Sequence, residues 1–337
     1  MELRTLGRTG LKVSDLSLGT MMFGGWGNPD HDACIAMVHA ALDAGVNLVD
    51  TADVYADGES EVIVGKALKG RRDEVVLATK FWNPMGGGPN QRGASRRWIM
   101  QAVEGSLRRL GTDWIDLYQV HRPDPDTDPD ELLGALSDLV RQGKVRYIGT
   151  STYPADLLVE LQWVAERRGH QRVVSEQPPY SIFTRGIEAS VLPACRRHGM
   201  GVIAWAPLNG GWLTGKYRRG APPPEGSRGS RPSPYFDPTH EAKLDAVEQL
   251  VALADEAGMS LTHLALAWVL EHPAMTSAIV GVKAMEQLQD VLSLGSRRLP
   301  VEVLDRIDEV VPPGTNLDPR NAGWVPFGLA REARRAR

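Results

Sequence analysis

The fold is decided by a repeated unit, whose clearest copy begins with Val75-Val76-Leu77-Ala78-Thr79-Lys80. An amphipathic segment near residues 95–110 follows this apolar run. The next apolar run is Asp116-Leu117-Tyr118-Gln119-Val120-His121. A short buried run followed by an amphipathic helix is typical of a parallel β-sheet built from βα units.

The same alternation extends in both directions along the chain. Further apolar runs lie at residues 16–18, 47–50, 145–149, 173–175, 201–205 and 276–280. Helical spacing is found at residues 31–43, 62–68, 129–142, 156–168 and 186–198, and His263 lies in a further helical pattern. Eight strands in 337 residues favour a (β/α)8 TIM barrel over an open doubly wound α/β sheet.

Three segments stand outside this repeat. Residues 3–14, which contain Gly7 and Gly10, predict an N-terminal β-hairpin before the first barrel strand. Residues 208–238 predict a long loop after strand 7, and residues 313–337 a basic C-terminal tail. We therefore expect a single barrel domain over residues 1–312, with the loop and the tail shaping specificity.

Composition narrows the class of protein. The 38 basic and 42 acidic residues give a net charge of −4, which argues against binding to nucleic acid or to an acidic membrane. Cys34 and Cys195 are the only cysteines, too few for a disulfide scaffold. No apolar run approaches the roughly 20 residues that span a bilayer, and no secretory signal is visible. We expect a cytoplasmic protein.

Four ionisable side chains lie at or just beyond the ends of consecutive predicted strands. They are Asp50, Tyr55, Lys80 and His121. Each alone has a structural explanation, such as capping of a turn by Asp50. Together they predict one catalytic site, because a parallel barrel collects its chemistry at these strand ends and burying four such groups without a role is costly.

This set suits the reduction of a carbonyl group, which needs a hydride on carbon and a proton on oxygen. A phenol has a pKa of about 10, and a neighbouring ammonium lowers it. We assign Tyr55 as general acid and Lys80 as the group that lowers its pKa. Asp50 is assigned to hold Lys80, and His121 to orient the substrate oxygen.

The chain resembles the aldo-keto reductase family over nearly its whole length. The resemblance is carried by Leu18-Gly19-Thr20-Met21, Asp50-Thr51-Ala52-Asp53-Val54-Tyr55, Thr79-Lys80, Leu117-Tyr118-Gln119-Val120-His121, Gly149-Thr150-Ser151, Glu176-Gln177, Trp205-Ala206-Pro207-Leu208 and Ile279-Val280-Gly281. Gly215-Lys216-Tyr217 and Glu286-Gln287-Leu288 are similar to the bacterial branch related to potassium-channel β-subunits. The resemblance implies an NAD(P)H-dependent reductase of aldehydes and ketones, with the same four catalytic residues.

The resemblance also implies the cofactor contacts. They fall at Gly19, Thr20, Met21, Asp50, Ser151, Thr152, Gln177, Trp205, Ala206, Pro207, Leu208, Gly210, Lys216, Arg228, Gly281, Lys283, Gln287 and Asp290. Three positions depart from the family pattern: Ala206 replaces a common Ser, and Asp290 and Val291 replace a usual Glu and Asn. The charges of Lys283 and Arg228 favour a 2′-phosphate, so we expect NADPH rather than NADH.

Trp26 and Trp82, together with Tyr55 and His121, are expected around a small carbonyl substrate. Two alternatives stay open. One is an NADP(H)-binding redox-sensing or regulatory subunit with little turnover. The other is a barrel hydrolase or lyase that uses a metal at His121 and the acidic residues 124–128. The prolines among them favour a turn and a helix start capped by Asp128, and we expect no metal. The oligomeric state is left open.

Overall fold

Eight parallel strands close into a barrel in the computed structural model, which describes residues 1–233 and 236–323. An antiparallel hairpin of β1 (Leu3–Thr5) and β2 (Lys12–Ser14) precedes the barrel. The barrel strands are β3 (Leu16–Gly19), β4 (Leu48–Asp50), β5 (Val76–Phe81), β6 (Ile115–Val120), β7 (Val145–Ser151), β8 (Val173–Gln177), β9 (Gly201–Ala204) and β10 (Met275–Gly281). They are adjacent in chain order, and β10 pairs with β3 to close the ring. The predicted TIM barrel and N-terminal hairpin are confirmed.

Helices surround the barrel. They are α1 (His31–Asp43), α2 (Glu59–Ala67), α3 (Arg96–Leu110), α4 (Pro129–Arg141), α5 (Ala155–Arg168), α6 (Val191–His198), α7 (Glu241–Glu256), α8 (Leu261–Glu271), α9 (Met285–Leu292) and α10 (Val301–Val310). Side-chain caps fix several starts; Ser95, for example, accepts a hydrogen bond from the backbone N of Trp98. Gly111, Gly169 and Gly199 end helices in the left-handed conformation.

The structure differs from the sequence prediction in two stretches. The helix expected over residues 186–198 begins only at Val191, and a 3₁₀ turn covers Gly186–Ala189. Between β9 and β10, the long loop is followed by two helices, α7 and α8, whereas the sequence indicated only the one around His263. Positions 234 and 235 of the loop, and positions 324–337 of the predicted basic tail, lie outside the described residues.

The core has two layers. The larger packs the outward faces of the strands against the helices and includes Cys34 of α1 and Cys195 of α6. The smaller fills the barrel interior with Leu48, Val76, Ala78, Leu117, Ile203 and Ile279. Leu6 and Val13 of the hairpin join this inner layer. The hairpin therefore closes the amino end of the barrel and leaves the carboxyl end for the site.

Within the described residues, no single helix combines the length and apolarity needed to cross a membrane. Helices α7 and α8 meet that test only when taken together, and their axes are bent by 89°.

Candidate active site

Lys80 is the centre of a polar cluster at the carboxyl end of the barrel. Its side chain is completely buried, and its Nζ donates to Asp50 Oδ1 at 2.6 Å and to the Thr51 carbonyl at 2.8 Å. The Tyr55 hydroxyl lies 3.3 Å from the same Nζ. One ammonium group therefore joins the carboxylate and the phenol that the sequence analysis singled out.

Strand register and a tight turn bring these groups together. Asp50 ends β4 and pairs with Ala78 of β5, two residues before Lys80. Beyond Tyr55 the backbone turns sharply, with φ of 48° at Ala56 and 93° at Gly58. A positive φ is rare for a residue with a Cβ, so this turn is held by its surroundings. The turn places Tyr55 beside Lys80 and allows α2 to begin directly after it.

His121 follows β6 directly and completes the predicted group of four. Its ring centroid lies 5.9 Å from that of Tyr55, with the two planes at 80°. Asn83 Nδ2 is 2.9 Å from His121 Nδ1, and an amide nitrogen only donates. With the amide in this orientation, the neutral imidazole carries its proton on Nε2 and is a hydrogen-bond donor there.

Charge and burial set the protonation states. Burial, with the charges of Lys80 and Arg122, holds the pKa of His121 well below its usual range. Burial also raises the pKa of Tyr55, and it outweighs the opposite effect of Lys80. The net direction is opposite to the lowering expected from the sequence, because that expectation neglected desolvation. Burial alone would lower the pKa of Lys80, but Asp50 and Tyr55 raise it. The cluster therefore holds an ammonium beside a protonated phenol.

The second carboxylate oxygen of Asp50 is held by two amides. Gln177 Nε2 donates to Asp50 Oδ2 at 2.8 Å, and Gln119 Nε2 donates to the same atom at 3.2 Å. Gln177 was predicted from the sequence as a site residue, whereas Gln119 was not. A signal was present, because Gln119 is two residues before His121 and shares its face of the strand.

The other positions singled out as cofactor contacts lie at the same end of the barrel. Gly19, Ser151, Gln177 and Gly281 are the last residues of β3, β7, β8 and β10. The others follow β3 (Thr20, Met21), β7 (Thr152), β9 (Trp205, Ala206, Pro207, Leu208, Gly210, Lys216, Arg228) and β10 (Lys283, Gln287, Asp290). Some of their polar groups already have protein partners. The Ser151 hydroxyl donates to the Gln177 carbonyl at 2.9 Å, and Asp290 Oδ1 lies 3.3 Å from His263 Nε2.

The loop after β9 forms a basic cradle that fits a phosphorylated cofactor. Gly210 and Gly211 have φ of 68° and 98°. A Cβ on Gly210 would lie 3.5 Å from Arg228 Nη1, and one on Gly211 would lie 2.9 Å from Lys216 Nζ. Lys283 Nζ donates to the Gly226 carbonyl at 2.9 Å, which brings a third cation to this loop.

None of these three cations forms an ion pair with a carboxylate among residues 1–233 and 236–323. Cations without a carboxylate partner, gathered beside a left-handed glycine turn, form a site suited to phosphate. The described residues therefore offer a cationic lining that a phosphorylated cofactor would fit.

Trp26 and Trp82, the two tryptophans expected around the substrate, lie close to the polar cluster around Lys80. The Trp26 ring centroid is 6.2 Å from that of Tyr55, and half of the Trp26 side chain is exposed. Trp82 immediately follows β5 with φ of 132° and precedes Asn83, the partner of His121. Aromatic surface thus borders the mouth on the side of β3 and β5.

The acidic residues after His121 have structural roles. Asp128 caps α4 and accepts from the Asp130 backbone N at 2.7 Å, as the sequence predicted. Asp124 Oδ2 accepts from the Ala94 backbone N at 2.6 Å and from Thr127 Oγ1 at 3.0 Å. Both carboxylates therefore stabilise the turn that leads into the helix.

Comparison with known proteins places this geometry in a family. The sequence model of the aldo/keto reductase family matches residues 15–312. The chain belongs to this family. It is 40% identical to the uncharacterized oxidoreductase YrpG of Bacillus subtilis (strain 168) over 335 residues, which cover 96% of this chain and 100% of the relative.

Two further relatives show the range of named functions among similar aldo/keto reductases. The aldo-keto reductase YhdN of Bacillus subtilis (strain 168) is 39% identical over 295 residues, which cover 86% of this chain and 87% of YhdN. A probable voltage-gated potassium channel subunit beta of Oryza sativa subsp. japonica is 38% identical over 327 residues, which cover 92% of this chain and 97% of the relative. The resemblance to the branch of channel β-subunits is confirmed, and oxidoreductase function is supported by the family.

Proposed function

We propose that this protein is an NADPH-dependent reductase of aldehydes and ketones in which Tyr55 is the general acid. One observation carries the proposal: a single buried ammonium, Lys80 Nζ, contacts both the Asp50 carboxylate and the Tyr55 hydroxyl. A phenol held against an ammonium and a carboxylate is suited to donating a proton at a fixed point.

The protonation states agree with this role. Because burial raises the pKa of Tyr55, the phenol keeps its proton at neutral pH and has one to donate to a nascent alkoxide. Lys80 then stabilises the phenolate that remains. The neutral His121 donates from Nε2 to the carbonyl oxygen and fixes its position.

NADPH, when bound, supplies the hydride. Lys216 and Arg228 would hold the diphosphate against the turn at Gly210, and Lys283 would contact the 2′-phosphate. NADPH is preferred over NADH on this charge argument. The carboxamide side of the nicotinamide would lie near Ser151, Thr152, Gln177 and Trp205 at the strand ends.

Consumption of NADPH, followed at 340 nm with a simple aldehyde, tests the proposal. We expect turnover by the wild-type protein and a loss of at least 100-fold in kcat for Tyr55→Phe, because the proton donor is removed. NADPH should still bind to the variant and change its tryptophan fluorescence. An active Tyr55→Phe variant, or a wild type without turnover, would contradict the proposal.

A redox-sensing or regulatory subunit is the second candidate. It is favoured by the 38% identity to a probable potassium channel subunit beta. Under this hypothesis the protein binds NADPH tightly but turns over little with any simple aldehyde. The two candidates are separated by comparing the rate at which bound NADPH is oxidised in a single turnover with the steady-state rate. A reductase sustains turnover, whereas a regulatory subunit shows little.

The remaining predictions from the sequence belong to the same proposal. The substrate is a small carbonyl compound, nucleic acid and membranes are not partners, and the protein is located in the cytoplasm. Cell fractionation with antibodies checks the location. Sedimentation velocity determines the oligomeric state, which the sequence left open.

A further inference from the structure

Arg122 extends a guanidinium group across the mouth of the barrel. Its Nη1 donates to the His121 carbonyl and to Thr152 Oγ1, both at 3.0 Å. Its Cζ lies 6.0 Å from the ring centroid of Trp205, which follows β9. These contacts direct the side chain inward from β6 over the ends of β7 and β9, next to the cluster of Tyr55, Lys80 and His121.

This cation has no counter-charge of its own. Among the residues that the structure describes, no carboxylate lies within ion-pair distance of Arg122, and only its Nη1 makes hydrogen bonds. Burial lowers the pKa of Arg122, and the ionisable groups that oppose this are first Tyr55, which keeps its proton, and then Glu176. Burial raises the pKa of Glu176 to about 8, so this carboxyl is mostly uncharged at neutral pH.

A largely desolvated cation without an anion is costly, and a bound anion removes the cost. The cofactor phosphates are placed elsewhere by the proposed function. Their cradle follows β9 and β10, whereas β6 is four strands from β10 in either direction around the barrel. The substrate is then the remaining source of negative charge beside Arg122.

We infer that the preferred substrates are aldehydes or ketones that carry a carboxylate, and that Arg122 binds this carboxylate while Tyr55 and His121 hold the carbonyl oxygen. This inference rests on the proposed reductase function. The Nε and Nη2 groups of Arg122 are unbonded in the described structure, and a guanidinium edge matches the two oxygens of a carboxylate. Trp26, whose ring centroid lies 6.2 Å from that of Tyr55, supplies apolar surface for the connecting part of the substrate.

The test compares 4-carboxybenzaldehyde with its methyl ester, methyl 4-formylbenzoate, as substrates with NADPH. The two aldehydes differ mainly in charge. We expect wild-type kcat/KM to be at least tenfold higher for the acid, with most of the difference in KM. Arg122→Gln should reduce this ratio to about one by raising KM for the acid. Arg122→Lys should retain part of the preference, because it keeps the charge but loses the planar fork.

Arg167→Gln is the matched control, because Arg167 lies 5.1 Å over the Trp163 ring on the exposed surface of α5. It should leave both substrates unaffected. Benzoate should also inhibit the intact wild type at least tenfold better than benzamide, a result that needs no variant to fold. Equal kcat/KM for acid and ester, or an unchanged preference in Arg122→Gln, overturns the inference while reduction itself stands. If neither aldehyde is reduced, the proposed function fails as well.

Discussion

Glu61 of α2 is completely buried and accepts a hydrogen bond from Arg109 Nε of α3 at 2.7 Å. Its other carboxylate oxygen accepts from Thr79 Oγ1 at 2.6 Å, and Thr79 is the neighbour of Lys80. The Arg109 side chain also fills the space beside Gly58, where a Cβ would lie 2.7 Å from Arg109 Cδ. This pair thus supports both the strand that carries Lys80 and the turn that follows Tyr55.

We predict that Glu61→Gln lowers the free energy of unfolding by about 3 kcal/mol, because it leaves a partly buried guanidinium without its anion. kcat should also fall, since the turn beyond Tyr55 loses support. Urea denaturation and aldehyde turnover measure the two effects. Glu256→Gln is the control, because the Glu256–Arg306 pair is exposed and should change neither. Equal effects of both variants would contradict this assignment.

Lys80→Met should reduce kcat by at least 100-fold, because Asp50 and Tyr55 lose their common partner. The charge of Lys80 lowers the pKa of Tyr55, so removing it raises that pKa further. Reduction needs the protonated phenol, and its loss at high pH should therefore shift to higher pH in the variant. A pH–kcat profile measures this shift. Lys69→Met, at an exposed position, should retain the wild-type pH profile. A shift of the profile to lower pH in Lys80→Met would contradict the predicted effect of Lys80 on Tyr55.

Asp53→Asn should stabilise the protein. Asp53 is fully buried, neither carboxylate oxygen has a hydrogen-bond partner in the described structure, and burial with the charge of Glu61 raises its pKa well above the usual value. The folded state therefore binds a proton that the unfolded state releases as pH rises above about 4. Stability is lost across that range at about 1.4 kcal/mol per pH unit, until the folded group ionises.

The gain from Asp53→Asn should accordingly be larger at pH 7 than at pH 5. Urea unfolding of the wild type and the variant at both values measures it. The exposed Asp43→Asn offers a comparison that should show no such trend with pH. A gain that is independent of pH would mean that Asp53 is ionised in the folded protein.

Lys283→Ala should weaken the discrimination between cofactors. If Lys283 binds the 2′-phosphate, its loss raises KM for NADPH about tenfold and lowers the ratio of KM for NADH to KM for NADPH correspondingly. Steady-state kinetics with both cofactors measure this ratio. Lys12→Ala, in the hairpin at the opposite end of the barrel, is the control. A wild-type preference for NADH, or an unchanged ratio in Lys283→Ala, would reject the role.

The strands and the polar cluster around Lys80 could be predicted from the sequence because both follow local rules. Buried runs mark strands, and polar residues that end them converge at one edge of a parallel barrel. The pattern therefore indicated Asp50, Lys80 and His121, although no local rule gives the 3.3 Å approach of Lys80 to Tyr55. That distance depends on the left-handed turn at residues 56–58.

Residues that act through long-range contacts were missed. Gln119 reads as part of a buried strand, and its bond to Asp50 joins positions 69 residues apart. Asn83 reads as a loop residue, yet its Nδ2 lies 2.9 Å from His121 Nδ1. The net rise in the pKa of Tyr55 was also missed: burial raises it by more than Lys80 lowers it, and burial is a property of the closed barrel and not of the Tyr–Lys pair.

The hairpin that carries Leu6 has a further consequence. Leu6 is wholly inaccessible to solvent, and Gly7 packs against the backbone of Gly199, Gly201 at the start of β9, and Val174 of β8. Because the hairpin covers the amino end and side chains fill the barrel interior, reactant and product reach the polar cluster from the carboxyl end, past the loops. Substitutions in those loops can therefore change which reactant is accepted without disturbing the packing of the hairpin against the amino end of the barrel.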